Sequence, residues 1–174
     1  MNNDGRADPM NATDDAVETG KQIVRDFFAA ISESDYERAE AMLDPGGEWW
    51  TLQTRSARTL PAQLRRIRSM AEDSRTGVTF KVKSLLAEGH QVAAELESYA
   101  ELPGFDYNNW YFVRIDVDQD RRMITGLRMY IDTAYTNRVL AEWVAPIDRT
   151  DASSTGSWSD SSNGEPDAPH LRGQ

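Results

Sequence analysis

Apolar residues in the first half of the chain recur at intervals of three and four, whereas from Gly77 onward they alternate with polar ones. In DDAVETGKQIVRDFFAAISESDYERAEAML, residues Val17, Ile23, Val24, Phe27, Phe28 and Ile31 share one stripe, the spacing of an amphipathic helix. Ser34 or Asp35 is placed to cap a short second helix over Tyr36 to Leu43, which DPGG terminates. The two are predicted to pack as a hairpin with Phe27, Phe28, Ala39 and Leu43 inward. EWWTLQT, Glu48 to Thr54, is strand-prone through its tryptophans and threonines. TLPAQLRRIRSMAED then reads as a helix with Pro61 in its first turn, and Arg65, Arg66 and Arg68 are expected on its solvated face.

Four strands follow: VTFKVKSLLAEG, HQVAAELESYAEL, YNNWYFVRIDV and MITGLRMYIDT, joined by the short turns EGH, PGFD and DQDRR. Thr133 to Val144 reads as a closing helix. Helices first and strands after predict an α+β domain, its N-terminal helices packed on a curved antiparallel sheet. The domain is expected over residues 16–145, between a polar disordered segment at 1–15 and a disordered acidic Ser/Gly/Pro tail at 146–174 that carries an isolated Trp158.

Composition narrows the chemistry. A chain of 174 residues supports one core, and a net charge of −10 offers no general attraction for nucleic acid or an anionic membrane. There is no cysteine, so disulfides, thiolate metal sites and cysteine nucleophiles are excluded. His90 and His170 have no partner at ligand spacing, so no metal site is expected, and no Gly-rich phosphate loop suggests a cofactor. No apolar run approaches a membrane span and the N-terminus lacks signal-peptide order, so a cytoplasmic location is expected.

The opening VRDFFAAISESDYERAEAML, the turn into EWW and the ending YNNWYFVRIDV…MITGLRMYIDT resemble the SnoaL-like and ketosteroid-isomerase-like branch of the nuclear transport factor 2-like superfamily. The resemblance covers about Val17 to Val144. It implies a cone-shaped α+β barrel, open at one end, around a mostly apolar pocket, in a homodimer that takes a small apolar molecule. It also implies a cofactor-free isomerase, cyclase or hydrolase acting on a polycyclic or terpenoid-like substrate. The alternative reading is a non-catalytic ligand-binding or protein-interaction member of the same fold.

Strand alternation places the pocket beside that resemblance. Tyr107, Asn109, Tyr111, Val113, Ile115 and Val117 share one face of their strand, and Thr125, Leu127, Met129 and Ile131 one face of theirs; both faces are predicted to point inward. Trp49, Thr51, Asn109, Tyr111, Leu127 and Met129 are therefore expected to bind the ligand. The positions where the resemblance implies acids hold Thr51 and Met129, neither of which is a proton acceptor at neutral pH. Glu95, Glu97 and Tyr99 share one face of their own strand. Alternation against Val92, Ala94, Leu96 and Ala100 turns that face to solvent, while the resemblance turns Glu97 into the cavity. On the second reading Glu97 is the expected base, with Glu95 beside it and Tyr99 or Tyr111 as hydrogen-bond donor. Asp132 is expected to cap the closing helix. Trp110 and Phe112, on the outer face, are the expected dimer contact.

Overall fold

The computed structural model describes residues 9–140. Trp158, His170, the acidic tail and the predicted helix end at Val144 lie outside the described residues. Helix α1 (Pro9–Ser32) starts within the stretch expected to lack structure, with a proline in its first turn, where the absent N–H forfeits no helical bond. Its apolar stripe is the predicted one: Ile23, Val24, Phe27, Phe28 and Ile31 are completely buried. Helix α2 (Tyr36–Ala41) is capped by Asp35, whose carboxylate accepts the Arg38 N–H at 3.1 Å.

Leu43 opens a strand instead of ending that helix. Strand β1 (Leu43–Thr51) takes in the DPGG stretch, and an unpredicted strand, β2 (Ser56–Thr59), returns against it. The reversal is tight: Arg55 has φ of 51° and donates its N–H to the Thr51 carbonyl at 2.9 Å. Thr59 then caps helix α3 (Leu60–Asp73) through the Ala62 N–H. The remaining elements follow in the predicted order as β3 (Thr79–Glu88), β4 (Gln91–Leu102), β5 (Phe105–Asp118), β6 (Met123–Ile131) and α4 (Thr133–Leu140).

The strands form one six-stranded sheet in the order β2-β1-β6-β5-β4-β3. All pairs are antiparallel except β1 with β6, which run parallel. The sheet is thus mixed, not wholly antiparallel as predicted. Consecutive strands joined by tight turns must reverse, but β1 and β6 are separated by most of the domain, so no turn dictates their direction. The sheet does not close on itself, and β2 and β3 are its edges. Helix α1 lies against β3 to β6 and α3 against β1, giving the expected α+β cone with its core between helices and sheet.

An aromatic chain runs through this core. Phe27 packs edge-on to Phe28 at 5.2 Å and reaches Trp49 at 6.4 Å; Phe28 meets Phe80 at 5.2 Å, and Phe80 meets Tyr111 at 6.0 Å. Burying each such ring contributes about 1.5–3 kcal/mol, so this chain ties α1 to the sheet at the point where the site begins.

Candidate functional site

Alternation on β4 has a single phase from end to end. Val92, Ala94, Leu96, Ser98, Ala100 and Leu102 are buried under the helices, and the intervening residues point to the outer face. Turning the glutamates inward would expose Leu96 and Ala94, and the apolar set decides the outcome. The expectation that Glu97 enters the cavity is therefore corrected. Glu97 stands opposite Trp110, pairs with Lys83 at 3.0 Å and accepts the Asn108 amide at 3.4 Å. Those partners, Lys83 first, hold its carboxyl below the ordinary glutamate value. Glu95 accepts the Ser84 hydroxyl at 2.8 Å, and Tyr99 donates to Glu101 at 3.2 Å, both on the outer face.

Between α3, α4 and the inner face of the sheet lies a cavity of about 260 Å³. Its deep wall is made by the buried Trp49, Tyr107, Tyr111 and Met129. Phe80, Ile131, Thr51 and the buried Thr136 and Ile67 complete it. Of the six expected ligand-binding residues, Trp49, Thr51, Tyr111 and Met129 line this space. Leu127 does not: it is packed into the core behind the wall. Asn109 is also displaced from the lining, and its amide hydrogens are both spent, on Tyr107 Oη at 3.1 Å and Thr136 Oγ1 at 2.8 Å. Its oxygen takes the Trp110 N–H. Asn109 therefore fixes a phenol and a helix and does not face a ligand.

The polar part of the wall is a hydroxyl network. Ser98 Oγ lies 2.8 Å from Tyr111 Oη, which lies 2.8 Å from Tyr107 Oη. These three groups carry three protons and share two hydrogen bonds, so one proton is left for an acceptor outside the trio. Either atom of each pair can be the donor; run from Ser98 through Tyr111, the chain leaves the third proton on Tyr107, which lines the cavity beside Thr136, and run the other way it leaves it on Ser98, which does not. Burial, then the neighbouring Tyr107, pushes the Tyr111 phenol well above its ordinary value; burial also raises Tyr107. Both phenols are donors, not bases, at neutral pH.

Thr136 is brought to the wall by α4, which Asp132 caps by accepting the Tyr135 N–H at 2.9 Å, as expected of it. Thr136 in turn donates to the Asp132 carbonyl at 2.7 Å. The rim is polar: Gln53, Gln63, Ser69 and Arg66. Sequence reasoning put Arg66 on a solvated face; it is exposed, but it also borders the cavity. The available signal was its place beside Ile67, one helical turn from Gln63 and Met70, all of which line the same space. Partial desolvation against the cavity wall, then the charge of Arg58, lowers the Arg66 guanidinium from its ordinary value. No Asp, Glu, His or Lys lines the cavity among the described residues, and no cluster of potential metal ligands occurs among them. No helix among them is long and apolar enough to cross a membrane.

Comparison with solved structures returns the same fold. An LEH-like epoxide hydrolase of M. tuberculosis superposes with a TM-score of 0.60 at 19% identity, over 72% of this chain and 92% of that one. PrhC from Penicillium brasilianum gives a TM-score of 0.65 at 14% identity, over 74% of this chain and 91% of that one. TerC, co-crystallised with polyporic acid, gives 0.59 at 12% identity, over 71% and 98%. No curated protein matches the sequence. The family model for the SnoaL-like domain matches residues 24–126, from the middle of α1 into β6 and more than half of the chain. With its helices, mixed sheet and inward aromatic wall in that arrangement, the chain belongs to the SnoaL-like domain family.

Proposed function

We propose that this protein is a binding member of the SnoaL-like family, which takes a small, largely apolar molecule in the cavity and hydrogen-bonds an acceptor atom of it from the hydroxyl network. One observation carries the reading: the cavity wall combines aromatic and thioether surface with the hydroxyls of Tyr107 and Tyr111, and it holds no carboxylate, imidazole or amine among the described residues. Such a wall suits a ring or chain bearing a carbonyl or hydroxyl oxygen. It supplies no base for abstracting a proton from carbon.

A cofactor-free isomerase, cyclase or hydrolase is the second reading. The Tyr107 and Tyr111 hydroxyls on the cavity wall favour it, since a phenol that donates to a carbonyl oxygen also stabilises an oxyanion. A thermal-shift screen with steroid, terpene and polyketide sets, followed by mass spectrometry of incubated hits, separates the two. Binding with unchanged ligand supports the binding reading, whereas conversion of a hit to product replaces it with the enzymatic one.

We also propose that the outer sheet face joins two copies of the chain. Trp110, Phe112 and Tyr130 are 54%, 50% and 39% exposed on that face, a grouping of large apolar side chains that a lone domain gains nothing by presenting to water. Phe112 and Tyr130 are direct neighbours across β5 and β6, so the patch is continuous.

A further inference from the structure

The cavity is asymmetric in charge. Its deep wall is neutral and its rim carries one cation, Arg66. A second stands near it: Arg58 lies directly opposite Trp49 in the β1 and β2 pair, and cross-strand partners project to the same face, so Arg58 is on the cavity side of the sheet. The two guanidinium groups are close enough for the charge of Arg58 to disfavour that of Arg66.

This pair combines a place on the cavity side with a lack of counter-charge; Arg55 also lacks one, but it stands exposed in the turn before β2. Arg38, Arg65, Arg68, Arg75, Arg114 and Arg121 each meet a carboxylate within 4 Å. Arg128 and Arg138 lie over the rings of Trp50 and Tyr135. Neither Arg58 nor Arg66 has an ion pair, a side-chain hydrogen bond or an aromatic partner among the described residues. This holds in a chain with 29 acidic residues against 19 Lys and Arg, where a carboxylate would be easy to supply. Two like charges are brought together beside an apolar space, and the cost of their repulsion and of partial desolvation is not offset by any described side chain.

We propose that the ligand is an amphipathic carboxylate: its apolar ring or chain fills the aromatic cavity, and its anionic group stays at the rim, bound by Arg66 with Arg58 adding field. This rests on the binding reading above and names the class of molecule within it. The geometry is that of a guanidinium fork set at the mouth of a mostly apolar pocket, where a carboxylate would be held in two hydrogen bonds while its hydrocarbon leaves water.

The test uses the full chain and matched pairs of probes: 2-naphthoate, 4-phenylbenzoate and decanoate, each with its methyl ester. Titration calorimetry is run on the wild type, Arg66→Gln, Arg66→Lys and Arg58→Gln. At least one acid is expected to bind more tightly than its ester by about tenfold, an advantage lost in Arg66→Gln, partly kept in Arg66→Lys and reduced in Arg58→Gln. The acid's affinity is expected to fall with added salt and the ester's to stay level. Ester binding reports an intact cavity in every variant. Acids and esters binding equally, or an acid preference that survives Arg66→Gln, would overturn the carboxylate assignment and leave the cavity reading standing. If no acid or ester binds, both fall.

Discussion

Glu97 and Ser98 are consecutive on β4 and face opposite sides of the sheet: Glu97 is bonded to Lys83 on the outer surface, and Ser98 meets the Tyr111 phenol at 2.8 Å inside. That one step in alternation moves the polar chemistry of this strand from a carboxylate to a hydroxyl. A ligand in the cavity meets donors where an acid was expected.

Glu97→Gln is therefore expected to leave cavity binding unchanged in calorimetry. The wild-type carboxyl, followed by NMR, is expected to titrate below the ordinary glutamate value, because Lys83 and Asn108 favour its charged form. A depressed value contributes stability above the unfolded-state value and loses it as pH falls through the folded one. Lys83→Met is expected to move the midpoint upward; an unmoved midpoint would remove Lys83 as the cause.

Tyr111→Phe leaves the Ser98 and Tyr107 hydroxyls without the atom that links them. The expected loss is about 1–3 kcal/mol in urea unfolding, the usual cost of stranding buried polar groups. Ser98→Ala removes one of the stranded groups, so Ser98→Ala with Tyr111→Phe is expected to cost less than the sum of the single changes, by about 0.5 kcal/mol or more. Strict additivity would mean that the trio is not a network.

Tyr107 and Tyr111 also set the alkaline limit. Both phenols are raised in the folded state, chiefly by burial. Above the unfolded-state value of about 10, the unfolded chain binds fewer protons than the folded one, so stability is fully present below that value and falls as pH rises. Unfolding free energy measured from pH 8 to 11 is expected to decline more steeply in the wild type than in Tyr111→Phe. Equal slopes would place the phenol in solvent.

Much of this arrangement was legible in the sequence, and particular residues show where legibility stopped. The inward faces of β5 and β6 could be read because Tyr107 to Val117 and Leu127 to Met129 alternate cleanly, and burial follows polarity there. The same rule gave the correct direction for Glu97, and the resemblance gave the wrong one. Strand β2 escaped because SART has no apolar alternation: it is an edge, held by backbone pairing to β1. The parallel pairing of β1 with β6 depends on contacts across most of the chain, which no local pattern encodes. Arg66 was hidden because a helix rim residue is both exposed and cavity-lining, and periodicity reports only the first.

Trp110→Glu combined with Phe112→Glu places two charges on the outer face without touching the cavity, since both side chains are about half exposed. In sedimentation velocity at micromolar concentration, the wild type is expected as a dimer and the double variant as a folded monomer with unchanged far-UV circular dichroism. A wild-type monomer at that concentration would dismiss the proposed interface.

Gly47 tests the junction that carries Trp49 to the cavity. It is buried on β1 at the register shift against β6, and a Cβ there would stand 2.5 Å from Leu60 Cδ1 and closer still to the Thr125 carbonyl oxygen. Leu60 could turn aside, but a backbone carbonyl in a paired strand cannot, so β1 would have to retreat from β6 and draw Trp49 with it. Gly47→Ala is expected to cost about 3 kcal/mol, the upper range for overpacking, and to weaken binding of any cavity ligand. Gly46→Ala, one residue away, meets only the Asp44 carboxylate at an ordinary 3.4 Å and is expected to be nearly neutral. The contrast between adjacent glycines in the same unfolding assay isolates packing from the general entropic effect of replacing glycine, which is common to both. If the two variants unfold alike, close packing of β1 on β6 does not set the position of the wall.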